Sequence, residues 1–148
     1  KSKICTLLAA LELVYRVYKE KNNIVPCITT PTEASNQVSF IKNKKKEYFV
    51  ALYLNARNQL IHTEIVSIGS LVSSIVHPRE VFEPAVRHSA AFVLVAHNHP
   101  SGETSPSDQD IHITTQLLEA GKILNIELID HLIMTEKSFL SLKEEGFI

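Results

Sequence analysis

The sequence predicts an α/β domain of three layers, with helices on both faces of a mixed β-sheet. Three observations carry that reading. Short apolar runs rich in β-branched and aromatic residues, such as Tyr48-Phe49-Val50-Ala51-Leu52-Tyr53 and Phe92-Val93-Leu94-Val95, alternate with amphipathic helical stretches. The turn Asn55-Ala56-Arg57-Asn58 joins two such runs, so a hairpin supplies antiparallel pairing beside strand-helix-strand units that pair in parallel. At 148 residues and 45% hydrophobic content, the chain can bury one core without disulfides or other staples.

Each element has its own signal. Leu7, Leu8, Leu11, Val14, Tyr15 and Tyr18 recur at helical spacing and predict a helix from Ser2 to Lys21. Asn22 to Thr30 reads as linker. Thr30-Pro31-Thr32-Glu33 joins a capping box to a proline at the first helical position, which starts a second helix running to about Ile41. Both helices are expected to be supports. Glu47 to Leu54 and Gln59 to Ser67 are the hairpin strands, and Gly69 to Val76 is a loop with room for a short strand. Pro78 opens a helix to about Ser89, and Ala90 to Ala96 is a buried strand. The loop from Asn98 to Pro106 is dense in proline, glycine and hydroxyl residues, a composition for a shaped turn. The next helix is expected to end at Gly121. Ile126 to Asp130, His131 to Thr135 and Ser138 to Leu142 complete the strands. The division that follows is residues 1–30 as N-terminal helix and linker and 31–148 as the domain proper.

Composition excludes several classes of function. With 15 basic and 16 acidic residues the net charge is −1, which gives no global footprint for nucleic acid, so DNA binding by this chain is expected to be weak. The cluster Lys42 to Lys46, broken by Asn43 and closed by Glu47, reads as a solvated loop. No apolar run approaches the roughly 18 residues of a membrane span, and no segment resembles a signal peptide. Cys5 and Cys27 have no paired spacing, and a reducing, cytoplasmic setting is the expectation.

Chemistry concentrates at His97-Asn98-His99-Pro100-Ser101-Gly102. Residues i and i+2 of a strand share a side, so His97 and His99 emerge together where a buried strand ends. Asp110, eleven residues past the second histidine, adds a carboxylate. Two imidazoles and one carboxylate leave a fourth position for water, the donor set of a catalytic zinc. Ser107 and Asp110 also spell a helix-capping pair, and the two roles are compatible. Other histidine signatures fail on the same letters. The nucleases called HNH take those residues from separated places, a metallo-β-lactamase would need Asp and His where Ser101 and Gly102 stand, and zinc deaminases need a Cys-x-x-Cys this chain lacks. An amidohydrolase barrel needs roughly 250 residues.

His97-x-His99, seven residues, Ser107, two residues and Asp110 resembles the JAMM motif of the MPN/JAB1 metallohydrolases, and HNHPSG with the following PSxxD is similar to its bacterial RadC branch. Leu52-Tyr53-Leu54-Asn55, Val76-His77-Pro78-Arg79-Glu80 and Leu128-Ile129-Asp130-His131 resemble the same branch, so the likeness spans nearly the whole chain. It implies a JAB1/MPN-like, cytidine-deaminase-like architecture and a zinc-dependent hydrolase cleaving an amide or isopeptide bond in a peptide or amide substrate. The resemblance also implies a helix-hairpin-helix region ahead of the domain. A strand glutamate serves such enzymes as general base; Glu64 matches best and Glu80 is its rival. Ser107 would stabilise the oxyanion. The alternative is a DNA-repair-associated binding module with a structural or vestigial metal. Of the remaining polar residues, Asp130-His131 could orient a metal-binding histidine, His77 could cap a helix or touch the site, and His62, His88 and His112 carry no functional expectation.

Overall fold

The computed structural model describes residues 2–21, 25–69 and 76–148. In chain order they form α1 (Ser2–Lys21), α2 (Pro31–Gln37), a 3-10 turn (Ser39–Ile41), β1 (Glu47–Leu54), β2 (Leu60–Gly69), α3 (Pro78–Arg87), β3 (Phe92–Asn98), α4 (Asp108–Leu124), β4 (Glu127–Met134) and β5 (Phe139–Ser141). The short strand expected between Gly69 and Val76 falls on residues 70–75, outside the described residues. The strands make one mixed sheet in the order β2-β1-β3-β4-β5. Only β3 and β4 run parallel, with α4 as their crossover; the other neighbours are antiparallel.

Alternation along the strands separates two cores, one per face. Phe49, Ala51, Tyr53, Val93 and Val95 point toward α3 and α4, while Val50, Leu52, Leu54, Leu94 and Ala96 point toward α2 and the 3-10 turn. Helices on both faces give the three layers the sequence predicts. Among the described residues no helix is long and apolar enough to cross a membrane.

Local departures have physical causes. Of the two helices ahead of β1, only α2 supports the core, through Ala34 and its neighbour Val38, whereas α1 holds Leu7, Leu8, Leu11 and Val14 out in solvent. The helix after the histidines runs past Gly121 to Leu124 and ends at Asn125 in the left-handed conformation. Gly121 is there for proximity: a Cβ would meet the Ile126 carbonyl oxygen at 2.5 Å, so only glycine lets the end of α4 lie against the chain entering β4. The two strands expected on either side of Asp130-His131 are one strand. A bulge lets Val93 pair with Leu128 and Leu94 with Asp130, which accommodates Ile129 without breaking β4.

Candidate metal centre

His97 ends β3 on the same face as Val95, and β1 pairing sets it opposite Phe49, whose ring stacks on it at 6.2 Å. His99 follows by two residues, its backbone N–H bonded to the Met134 carbonyl at 2.8 Å. Asp110 comes from the first turn of α4. A reciprocal capping box holds it: Ser107 Oγ accepts from the Asp110 N–H at 3.2 Å, while Asp110 Oδ2 accepts from the Ser107 N–H and O–H, both at 2.7 Å. The three side chains converge. His97 Nε2 lies 2.9 Å from His99 Nε2 and 3.1 Å from Asp110 Oδ1, and His99 Nε2 lies 3.5 Å from Asp110 Oδ2. The side chains of His97 and Asp110 are fully buried, while that of His99 is 13% exposed, so the centre opens on the His99 side.

A chain of hydrogen bonds fixes which nitrogens carry protons. Thr114 Oγ1 donates its one proton to the Asp110 carbonyl at 2.5 Å, so it must accept from His131 Nδ1 at 2.6 Å. Burial pushes the His131 imidazole well below 6.5, so the ring is neutral and its Nε2 can only accept. His97 Nδ1 therefore donates to His131 Nε2 at 2.8 Å, and His97 Nε2 is bare. In the same way His99 Nδ1 donates to the Glu103 carbonyl at 2.8 Å, which leaves His99 Nε2 bare when the ring is neutral and a donor to Asp110 when it is protonated. These tautomers are assigned from the network.

That assignment explains an orphan. Asp110 Oδ1 is buried without a hydrogen-bond partner although His97 Nε2 is 3.1 Å away, the arrangement expected when the neutral ring turns a lone pair toward the carboxylate. Burial alone would raise the Asp110 carboxyl, but the imidazoles and the Ser107 hydroxyl hold it well below the usual carboxylate range, so it is ionised. Two bare imidazole nitrogens and an anionic oxygen repel one another unless a cation or proton lies between them. Among the described residues this is the only group of three such side chains, with ligand atoms all within 4.8 Å, and its donors suit a divalent transition metal.

Comparison with known proteins identifies the family. The family model described as "RadC-like JAB domain" matches residues 28–147. The chain belongs to that family. It is 47% identical over 148 residues to a UPF0758 protein of Geobacillus thermodenitrificans, covering 99% of this chain and 66% of the relative. It is 48% identical over 147 residues to the UPF0758 protein YsxA of Bacillus subtilis, covering 99% of this chain and 64% of the relative. The chain thus spans just under two thirds of the length of these bacterial relatives.

Within this RadC-like domain the other expected residues lie apart. Glu64 sits on the edge strand β2 opposite Ala51, which in turn pairs with Val95. It is therefore two strands, roughly 10 Å, across the sheet from β3 and level with Val95, two residues before His97. Its contact is His62, at 3.5 Å. Glu80 is exposed in the first turn of α3, where it complements the helix N-terminus. His77 caps α3, its Nδ1 accepting from the Arg79 N–H at 3.3 Å. His131 does touch His97, but Asp130 beside it is structural, accepting from Ser141 Oγ and from the His131 and Lys143 N–H groups.

The acid that the fold brings to the centre is Glu47. Continuing the β1–β3 register two residues beyond Phe49–His97 sets Glu47 level with His99, on the same face as Phe49. Its charge helps to raise the His99 imidazole, after the Asp110 hydrogen bond and the Glu103 carbonyl and against burial. Asn98, buried and pointing to the opposite face, fixes this stretch of chain. Its Oδ1 accepts from the Tyr48 N–H at 2.7 Å, and its Nδ2 donates to the Lys44 and Lys46 carbonyls at 3.2 and 3.0 Å. The available sequence signal was that Glu47 opens a strand in phase with Phe49.

Proposed function

We propose that this domain is a zinc-dependent hydrolase of the JAMM type, cleaving an amide or isopeptide bond. The observation that carries the proposal is the convergence, at a point open on one side, of two bare imidazole nitrogens and a buried carboxylate oxygen without a donor. Three protein ligands with one direction open are the set found in catalytic zinc sites, whereas structural sites close with four. When bound at His97, His99 and Asp110, zinc would act as a Lewis acid and lower the pKa of water from 15.7 to about 7.

The remaining work falls to the chain. Hydrolysis adds the oxygen of water to the carbonyl carbon, breaks the C–N bond and delivers a proton to the leaving amine. Glu47 is the proposed carrier of that proton in place of Glu64, because its register and its charge on His99 both argue for the open side of the centre. Ser107 is the proposed donor to the oxyanion. Asp110 Oδ2 also accepts from the Ser107 N–H, so the hydroxyl can turn away without stranding the carboxylate. His131 and Thr114 hold His97 in its ligand tautomer.

Elemental analysis together with a screen of fluorogenic amides and isopeptides, with and without chelator, tests the reading. Stoichiometric zinc and chelator-sensitive cleavage are expected. A zinc-loaded protein that cleaves nothing would favour the DNA-associated module with a structural metal.

A further inference from the structure

The open side of the centre leads into a cavity of about 840 Å³ lined by His99, Pro100, Gly102, the Lys42–Lys45 loop and the β4–β5 turn. Its charge is unlike that of the chain. Lys42, Lys44, Lys45 and Lys137 line it against the single acid Glu136, in a protein whose 15 basic and 16 acidic residues otherwise balance. The loop is held in place by the hydrogen bonds from Asn98 to the Lys44 and Lys46 carbonyls, and Lys44 Nζ lies 5.7 Å over the Tyr48 ring. Two segments distant in sequence, the Lys42–Lys45 loop and the β4–β5 turn, thus deliver four ammonium groups to the cavity beside His99. Since His97 and Asp110 are sealed, a substrate reaching the centre passes His99 and this cavity.

Resting on the hydrolase reading above, we infer that the substrate is an acidic polypeptide segment, with Asp or Glu side chains flanking the scissile amide and seated against Lys44, Lys45 and Lys137. A cavity of this size suits a few residues of extended chain rather than a folded surface. Lysine is a flexible point charge that pairs with carboxylates without demanding fork geometry. Among the described residues no aromatic side chain lines the cavity, so they offer no stacking platform of the kind a single-stranded nucleic acid uses. The complementary field also draws an acidic segment to the centre before contact.

The test uses zinc-loaded Glu47→Gln protein, to separate binding from cleavage, and fluorescein-labelled decapeptides that differ only in having Asp/Glu, Ser or Lys around a central isopeptide bond. Anisotropy should show the acidic peptide binding roughly tenfold tighter than the neutral one, as three exposed ion pairs would give, with the preference shrinking as salt rises. Reversing the charges with Lys44→Glu, Lys45→Glu and Lys137→Glu together should abolish the preference while zinc content stays stoichiometric. Equal affinity for the three peptides, or a preference that survives the reversal, overturns the inference. So does tighter, lysine-dependent binding of an oligothymidylate of similar length. The two readings fail separately. Wild-type protein that cleaves all the isopeptides regardless of flanking charge keeps the hydrolase and sinks the cavity's role. Lysine-dependent binding of the acidic peptide without any cleavage keeps the cavity's preference and sinks the hydrolase.

Discussion

Two clusters of histidine and carboxylate lie along the face of the sheet that packs on α3 and α4, and they differ in how their rings meet. Near β2, His62 stacks on His88 with centroids 4.2 Å apart and on Tyr53 at 5.8 Å, and Glu64 approaches His62 at 3.5 Å. Rings that meet face to face aim their nitrogens outward, and here the side chains of His62 and Glu64 are 36% and 40% exposed, so their polar atoms are open to solvent. Burial raises the Tyr53 phenol, with help from Glu64 and Glu83 and against Arg87; it stays neutral and donates to the Val81 carbonyl at 3.0 Å. At the end of β3 the rings meet edge to edge, each ring's Nδ1 is committed elsewhere, and the bare Nε2 atoms converge on a buried anion. The residue types are nearly the same, but only the second arrangement stores an unmet demand for a cation.

The largest expected effect breaks that demand. His97→Ala or Asp110→Asn should reduce zinc from near stoichiometric to near zero by elemental analysis, while His62→Ala leaves it unchanged. Equal zinc in all four proteins would show that the metal is held elsewhere. Next comes the pair of glutamates. With a cleaved amide in hand, Glu47→Gln should keep its zinc and lose on the order of 10²- to 10⁴-fold in kcat, the usual contribution of a general base, and Glu64→Gln should behave as wild type. The reverse result would return the base to β2.

That pair also marks where the sequence stopped being legible. The candidate ligands His97, His99 and Asp110 were readable as a group because their relation is local, the end of one strand and the first turn of the next helix. Four of the five strands were readable for the same reason, and β4 was read as two. The choice between Glu47 and Glu64 depends on which residues pair across β1, β2 and β3, and register is set by tertiary packing and by two irregularities in the β1–β2 ladder. Asp130-His131 read as a break because a charged pair inside an apolar run resembles a turn. It is instead buried, each polar atom satisfied by β5, the following backbone, Thr114 or His97. The lysine loop read correctly as exposed, but its place beside His99 rests on Asn98, about fifty residues away.

Ser107 separates two roles of smaller size. Its loss as a cap should cost about 1 kcal/mol of stability in Ser107→Ala. Its loss as an oxyanion donor should lower kcat by roughly 10²- to 10³-fold with KM little changed, because the charge it meets exists only after attack. Undiminished kcat with the small stability loss would leave Ser107 as a cap alone. His131→Asn and Thr114→Val, which remove the partners of His97 without touching a ligand, should weaken zinc by about 10- to 100-fold in a chelator competition. Unchanged affinity in both folded variants would mean that the tautomer of His97 needs no such support.

The smallest effect needs neither substrate nor metal. In the metal-free protein the His99 imidazole is raised above 6.5 by its hydrogen bond to Asp110, by the Glu103 carbonyl and by the charges of Asp110 and Glu47, with burial opposing. A folded histidine raised in this way stabilises the metal-free fold fully below the unfolded value of 6.5, and the contribution fades as pH rises through the raised value. Zinc requires the neutral ring, so the same proton competes with metal, and affinity should fall as pH drops through that range. Removing the charge in Glu47→Gln should move the His99 titration, followed by NMR, downward. Glu64→Gln should not move it, since Glu64 acts on Tyr53 and contributes nothing resolved to His99. A His99 titration that responds to Glu64 and ignores Glu47 would mean that the β1–β3 register does not carry Glu47 to the centre, and the proposed base would fall with it.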